Sequence, residues 1–190
     1  MTFDPTVLPA GLPRPVDEGG ADHLPGSAVP AVALPATGGG VVDLRSASAG
    51  RRLVVFAFPR TGRPGEGSLV DDWDEIPGAR GCTPQACSFR DLHAELRAAG
   101  ADVVGLSTQE TGYQQEAVQR LGLTYPLLSD DKLALTRALD LPTMEVAGHE
   151  LLRRLTMVVR DGVIERVWYP VFPPDTHAAD VLGWLREPVA

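Results

Sequence analysis

The chain alternates between apolar runs and segments in which apolar residues recur at helical spacing. Two Val-rich runs, at 51–58 and 101–108, are short and lie next to Gly or Pro, which is typical of strands buried in the middle of a sheet. Helical periodicity follows each run, over 83–99 and 109–123, and a glycine ends each helix. This alternation predicts an α/β fold.

Shorter elements complete the predicted fold. In chain order they are a hairpin around a Gly-rich turn at 29–44, an extended segment at 125–130, a short helix at 131–141, a hairpin at 155–169 and a last helix capped by Asp175 or Thr176. The second hairpin turns at Asp161-Gly162, a dipeptide typical of two-residue turns. The order predicts a mixed central sheet flanked by helices, like a thioredoxin fold with additions.

Two segments stand outside this alternation. Residues 1–25 carry five prolines and little periodicity, which predicts an extended or partly disordered N-terminal arm. Residues 60–81 form a long polar stretch rich in Gly and Pro, and a loop of that length in a compact domain is usually functional or inserted. We therefore predict one domain over 26–187, preceded by the arm.

Composition narrows the classes of function. The 190 residues suffice for one domain with a sizeable core, and the net charge of -8 argues against broad binding to nucleic acids or anionic lipids. No apolar run approaches the roughly 18 residues of a membrane span. The N-terminus lacks the basic and then apolar pattern of a signal peptide. We expect a cytoplasmic protein, in which paired cysteines favour catalysis or redox sensing over a structural disulfide.

The two cysteines of the chain, Cys82 and Cys87, have a C-x4-C spacing. The spacing is too wide for a C-x-x-C redox pair, and two cysteines cannot close a four-ligand zinc site. Cys82 stands where a helix is predicted to begin, and the N-terminus of a helix stabilises a thiolate, which is the nucleophilic form. Cys87 is then a candidate to condense with a sulfenic acid on Cys82. Free cysteines are also often small buried apolar residues, and this alternative stays open, above all for Cys87.

The segment "GCTPQACSFRD" resembles the active-site segment of the peroxiredoxins, and its cysteine spacing resembles the Q type, the bacterioferritin comigratory protein group. The similarity spans 26–187. Its further segments follow in the family's order: "GSAVPAVALPATGGGVVDLRS", "LVVFAFP", "ADVVGLST", "YPLLSD", "RRLTMVVRDGVIERVWYPV" and "THAADVLGWL". The resemblance implies a thioredoxin-like fold with peroxiredoxin additions.

By this resemblance, Cys82 is the peroxidatic and Cys87 the resolving cysteine, and the two form an intramolecular disulfide. Arg154 matches the family's active-site arginine, which suits stabilisation of the thiolate and of the charge that develops as the O–O bond breaks. Pro59 matches the proline that shields the pocket. The implied activity is thioredoxin-dependent reduction of hydrogen peroxide and organic hydroperoxides, without metal, haem or flavin. The implied reductant is thioredoxin or a similar dithiol protein, and the expected assembly is a monomer or weak dimer.

The sequence departs from the family pattern at one position of the site. The family places Thr or Ser three residues before the peroxidatic cysteine, where its hydroxyl bonds the thiolate and the peroxide, but this chain has Ala79 there. The stretch from Pro59 to Cys82 is also much longer than the family's short loop. Thr61 is the candidate to supply the missing hydroxyl, provided that the extra residues bulge out between the two segments.

Two other functions stay open at this stage. One is a one-cysteine peroxidase in which Cys87 is a bystander, and the other is a redox sensor or partner-binding module without catalytic turnover. The spacing itself also makes a geometric prediction. Residues five apart in a continuous helix have Cα atoms roughly 8–9 Å apart, whereas a disulfide needs them within about 7 Å. A bond between Cys82 and Cys87 therefore requires the helix to unwind over 82–87.

Overall fold

A computed structural model describes residues 7–187 of the chain. The elements follow in the order β1 (Ala33–Pro35), β2 (Val41–Asp43), α1 (Leu44–Ala47), β3 (Arg52–Ala57), a 3-10 turn (Trp73–Glu75), α2 (Cys82–Asp91), α3 (His93–Ala98), β4 (Ala101–Ser107), α4 (Thr111–Leu121), β5 (Leu127–Ser129), α5 (Ala134–Ala138), β6 (Thr143–Val146), β7 (His149–Leu152), β8 (Leu155–Arg160), β9 (Val163–Trp168) and α6 (His177–Arg186). No helix within the described range is long and apolar enough to cross a bilayer.

Five strands form the central sheet in the order β5-β4-β3-β8-β9. β3, β4 and β5 run parallel, whereas β8 and β9 are antiparallel to their neighbours, so the predicted mixed sheet is confirmed. β3 lies in the middle, where Val54 pairs with Val103 on one side and Val158 on the other. Because both faces of this strand are covered, its sequence is a continuous apolar run.

Successive side chains of β3 enter two separate cores, since they point to opposite faces of the sheet. Leu53 and Val55 pack with the N-terminal hairpin and α5. Val54 and Phe56 pack with α2, α3, α4 and α6. The ring of Phe56 stacks on that of Phe89 in α2, with centroids 4.4 Å apart, so α2 is fixed against the sheet by an aromatic contact.

Two elements differ from the sequence prediction. The helix predicted over 83–99 is two helices, because the backbone leaves the helical conformation at Leu92 (φ -99°, ψ 5°). The β6–β7 hairpin was not predicted at all. It turns at Ala147 and Gly148, both of which adopt positive φ, and it packs Val146 and Leu151 against the long loop.

The described part of the N-terminal arm, from residue 7, runs along the body without helix or strand. Leu8 and Pro15 lie against the segment that precedes α2, beside Gly81 and Gly78 respectively. Ala21 and Leu24, which the sequence prediction assigned to the arm, are buried in the core. Residues 1–6 of the predicted arm and residues 188–190 lie outside the described range.

Candidate active site

Cys82 is the first residue of α2, and a sharp left-handed turn at Gly81 brings it there (φ 107°). The first hydrogen bond of the helix runs from the N–H of Gln85 to the carbonyl of Gly81, at 3.1 Å. The N–H groups of the preceding turn therefore have no partner within the helix, and the positive end of the helix dipole lies at Cys82. The observed position matches the helix start predicted from sequence.

Arg154 lies directly opposite this sulfur. Its Nη2 donates to Sγ of Cys82 at 3.2 Å, although the two residues are 72 positions apart in the chain. Each residue is only 3% exposed, so water screens the interaction poorly. Arg153, the neighbour, takes another direction and donates from Nε to the carbonyl of Thr143 at 2.9 Å.

Backbone carbonyls hold the guanidinium of Arg154 in place. Nη2 lies 3.2 to 3.3 Å from the carbonyl oxygens of Gly78, Ala79 and Arg80, and Nη1 donates to Oε1 of Gln85. Nη2 carries two hydrogens, so its acceptors share them. The segment before α2 and the guanidinium thereby fix each other's position.

The buried charge of Arg154 has no carboxylate within ion-pair distance among residues 7–187. A buried cation is costly unless an anion compensates it. The thiolate of Cys82 is the group in direct contact that can supply this negative charge. The ionised sulfur is also the form that attacks electrophiles.

The missing hydroxyl at Ala79 is not replaced in the expected way. The hydroxyl of Thr61 donates to Oε1 of Gln109 at 3.2 Å, and the N–H of Thr61 donates to the same oxygen at 2.9 Å. Thr61 therefore belongs to a buried network with Gln109, and the expectation that its hydroxyl serves Cys82 is not met. At Ala79 it is the backbone that contributes, because its carbonyl accepts from the thiol of Cys82 at 3.6 Å. Pro59 is buried just beyond the end of β3.

Cys87 lies further along the same unbroken helix. It is 7% exposed and belongs to the apolar cluster of α2 with Phe89 and Tyr125. Cys82 and Cys87 are not joined by a disulfide. Because the helix is continuous over Cys82–Asp91, the two sulfurs point away from each other, as the spacing predicts.

A cavity of about 430 Å³ opens at Cys82. The long loop forms most of its wall, and Trp73 anchors that loop in a small apolar cluster with Ala79 and Leu151. Four arginines line it, which are Arg60, Arg63, Arg80 and Arg120. No local sequence signal groups these arginines, since Arg120 comes from α4, far from the loop in the chain.

His177 is another buried titratable group near the site. Burial, and to a smaller extent the positive charge of Arg154, lower its pKa to about 4. Its ring meets Phe89 and Trp168 edge-on, and its Nε2 has no hydrogen-bond partner among the described residues. His177 is therefore neutral at neutral pH. Within residues 7–187, no group of three or more His, Cys, Asp or Glu side chains is arranged to hold a metal ion.

Comparison with known proteins places this geometry in a family. The sequence model of the redoxin family matches residues 24–182. The chain is 31% identical to the chloroplastic peroxiredoxin Q of Suaeda salsa over 162 residues, which cover 85% of this chain and 67% of that protein. It is 30% identical to peroxiredoxin bcp1 of Schizosaccharomyces pombe over 140 residues, which cover 73% of this chain and 64% of that protein. The chain thus spans about two thirds of the length of these curated relatives.

Solved structures agree with the sequence comparison. The crystal structure of peroxidoxin BcpB from Mycobacterium tuberculosis superposes with a TM-score of 0.71 at 27% identity, covering 88% of this chain and 100% of that one. A structure of peroxiredoxin Q from Xanthomonas campestris gives a TM-score of 0.63 at 26% identity, covering 92% and 96%.

Proposed function

The chain belongs to the redoxin family, and within it to the Q-type peroxiredoxins, and we propose that it reduces hydroperoxides with the thiolate of Cys82. The observation that carries the proposal is the contact of 3.2 Å between Nη2 of Arg154 and Sγ of Cys82, at the start of α2. A buried arginine without a carboxylate partner in the described range offers a counter-charge to the thiolate and a donor to the oxygen atoms of a peroxide.

In the first step, the thiolate of Cys82 attacks the terminal oxygen of the hydroperoxide. An S–O bond forms while the O–O bond breaks, so the sulfur loses two electrons and becomes a sulfenic acid. The leaving oxygen takes a proton and departs as water or an alcohol. Negative charge moves from sulfur to this oxygen, and the guanidinium of Arg154 lies where it can donate to both.

In the second step, the sulfur of Cys87 attacks the sulfenic sulfur of Cys82. An S–S bond forms as the S–O bond breaks, and the leaving hydroxide takes the proton that the thiol of Cys87 gives up, so water departs. This step requires α2 to unwind, because the intact helix holds the two sulfurs apart. We propose that the first turn opens after Cys82 is oxidised, when the sulfur no longer carries the charge that pairs with Arg154.

In the third step, a dithiol protein reduces the disulfide by thiol–disulfide exchange. Thioredoxin is the proposed reductant, since the Q-type relationship and the paired cysteines support it. The cycle needs a compartment in which such a reductant stays reduced, and we propose the cytoplasm. The assembly that we propose is a monomer or weak dimer.

Peroxide consumption coupled to thioredoxin and its reductase tests the cycle. Wild type turns over repeatedly, Cys82→Ser consumes no peroxide, and Cys87→Ser is oxidised once per chain and then stops. Ser88→Ala, the next position of the same helix, is the control and behaves as wild type. Normal cycling of Cys87→Ser with thioredoxin would make the protein a one-cysteine peroxidase. Oxidation of wild type without any turnover would favour a redox sensor.

A further inference from the structure

We propose that the cavity beside Cys82 selects organic hydroperoxides that carry a carboxylate group, and that Arg60 binds that group. This inference rests on the proposed peroxidase function and names its class of substrate. Nothing in the reaction itself requires a charged substrate, so any such preference must come from the cavity wall.

The size of the cavity is the first observation. At about 430 Å³ it lies in the range of roughly 300–1,000 Å³ that is usual for sites holding drug-sized ligands. Hydrogen peroxide, with two heavy atoms, fills only a small part of such a space. The cavity therefore accommodates an organic hydroperoxide whose reactive end lies at Cys82 and whose remainder lies along the loop.

The second observation is the mixed character of the wall. Apolar side chains from the loop and from α2, namely Pro64, Leu69, Trp73 and Pro84, cover part of it. Among residues 7–187, the charged side chains on the wall are four arginines and a single carboxylate, that of Glu66. In a protein of net charge -8, this local excess of guanidinium groups is a strong departure from the average surface. An apolar chain with an anionic end matches both parts of the wall.

Three of the four arginines already have carboxylate partners. Nη1 of Arg80 lies 3.2 Å from Oδ1 of Asp74. Nε of Arg120 lies 2.7 Å from Oε1 of Glu116, and Nη1 of Arg63 lies 3.6 Å from Oε1 of Glu66. Arg63 also lies 3.9 Å from Glu116, so that carboxylate is shared. These pairs leave one positive charge of the group uncompensated.

Arg60 carries that charge. It forms no ion pair with a carboxylate among residues 7–187, and its guanidinium carbon lies 4.5 Å from the ring centroid of Tyr113. The guanidinium of Arg63 lies over the same ring at 3.9 Å. Stacking on an aromatic face orients a guanidinium. Arg60 also hydrogen-bonds the side chain of Tyr113, but a guanidinium has five N–H donors, so others remain for a carboxylate. Arg60 is thus a preorganised anion-binding side chain on the wall of the cavity that contains the nucleophile.

The reaction with such a substrate leaves the carboxylate unchanged. The thiolate of Cys82 takes the terminal oxygen, the O–O bond breaks, and the product leaves as a hydroxy acid after its alkoxide takes a proton. Binding of the carboxylate at Arg60 contributes by holding the O–O bond near the sulfur, which raises the effective concentration of the peroxide.

A matched pair of substrates tests the proposal. The oxidation rate of Cys82 is measured by stopped-flow fluorescence with a medium-chain hydroperoxy carboxylic acid and with its methyl ester. We expect wild type to react with the acid about tenfold faster or more, as a hydrogen-bonded charge pair allows. Arg60→Gln brings this ratio close to unity, whereas Arg137→Gln, an exposed arginine of α5, keeps the wild-type ratio. If a substitution alters the intrinsic reactivity of Cys82, it alters the rates with the acid and with the ester by the same factor, so the ratio of the two rates does not change.

Equal rates for acid and ester in wild type would overturn the proposal, and a ratio that Arg60→Gln leaves unchanged would remove Arg60 from it. A binding measurement keeps the test independent of turnover. Calorimetry on Cys82→Ser compares the hydroxy acid with its methyl ester, and we expect tighter binding of the acid that is lost in Cys82→Ser/Arg60→Gln. If wild type consumes no peroxide, the peroxidase function fails, while equal binding of the two hydroxy compounds separately refutes the carboxylate site.

Discussion

Nη2 of Arg154 lies 3.2 Å from Sγ of Cys82, and the same nitrogen lies within 3.3 Å of the carbonyls of residues 78–80. One side chain thus holds both the nucleophile and the segment that leads into the nucleophile's helix. The electrostatics of the sulfur and the local fold before α2 consequently depend on the same residue.

Replacement of Arg154 by Met should slow the oxidation of Cys82 by peroxide about a hundredfold or more, since one preorganised donor to developing charge is worth that much. Arg154→Lys keeps the positive charge but not the planar guanidinium, so its oxidation rate should lie between those of wild type and Arg154→Met. Arg153→Met is the matched control, because Arg153 donates to Thr143 instead. Stopped-flow fluorescence gives the rates, and circular dichroism verifies that each variant is folded. A wild-type rate in folded Arg154→Met would show that the contact has no role in the chemistry.

Oxidation should remove the protection of α2 against amide hydrogen exchange. A Cys82–Cys87 bond requires Cα atoms within about 7 Å, which the continuous helix does not allow. Exchange followed by mass spectrometry on both redox forms should show faster exchange over 82–91 in the disulfide form, and little change in α4 as the internal reference. Equal protection of α2 in the two forms, with the bond verified in the same sample, would contradict this expectation.

The burial of His177 should make the free energy of unfolding depend on pH in the acid range. Its pKa is about 4 in the folded protein, below the ordinary value of 6.5, so the unfolded chain binds the proton more readily. The stabilisation that buried, neutral His177 contributes to the folded state is therefore fully present above pH 6.5. It is lost as the pH falls, and the loss is complete slightly below pH 4. It amounts to about 3 kcal/mol at most.

Chemical denaturation across this pH range measures the effect. His177→Phe suits the aromatic surroundings and should flatten the curve between pH 6.5 and pH 4, although Asp180, 3.7 Å from Nδ1, loses its neighbour. His149→Gln, at an exposed position, should leave the curve as in wild type. An unaltered slope in His177→Phe would assign the acid sensitivity to other groups.

Gly81→Ala should destabilise the protein more than an ordinary glycine replacement. A Cβ at Gly81 would lie 2.5 Å from Cγ of Pro174 and 2.8 Å from Cδ1 of Leu8, in addition to the strain of a positive φ. Gly39 has a similar φ of 94° but open space around it. In Gly39→Ala, backbone strain alone should lower the free energy of unfolding by about 1 kcal/mol. We expect Gly81→Ala to lose about 1–3 kcal/mol more from the collision, as measured by denaturation. If Gly81→Ala and Gly39→Ala lose the same free energy of unfolding, then Leu8 and Pro174 move away from the new Cβ without a measurable cost.

The sequence predicts the central sheet because its strands carry strong local signals. β3 and β4 are Val-rich runs next to Gly or Pro, and the hairpin at Asp161-Gly162 has the turn residues that its backbone requires. The start of α2 is also predictable, since the segment at Cys82 combines a flexible glycine with a proline in the first turn.

Other features have no such local signal. The break between α2 and α3 falls at Leu92, with no Gly or Pro to mark it in the sequence. The turn between β6 and β7 uses Ala147 at positive φ, which a pattern search does not expect. The pairing of Thr61 with Gln109 joins positions 48 residues apart, and only the folded chain brings them together.

Enclosure of both sulfurs in one helix has a practical consequence for thiol labelling. Cys82 is 3% exposed but lines an open cavity, which gives a small alkylating reagent a path to its sulfur. Cys87 is 7% exposed, does not line that cavity and packs in the apolar cluster of α2, so a bulky maleimide reacts with it only while the helix is open. The ratio of the two labelling rates therefore measures how often the helix opens, and it does so in the reduced protein before any oxidant is added.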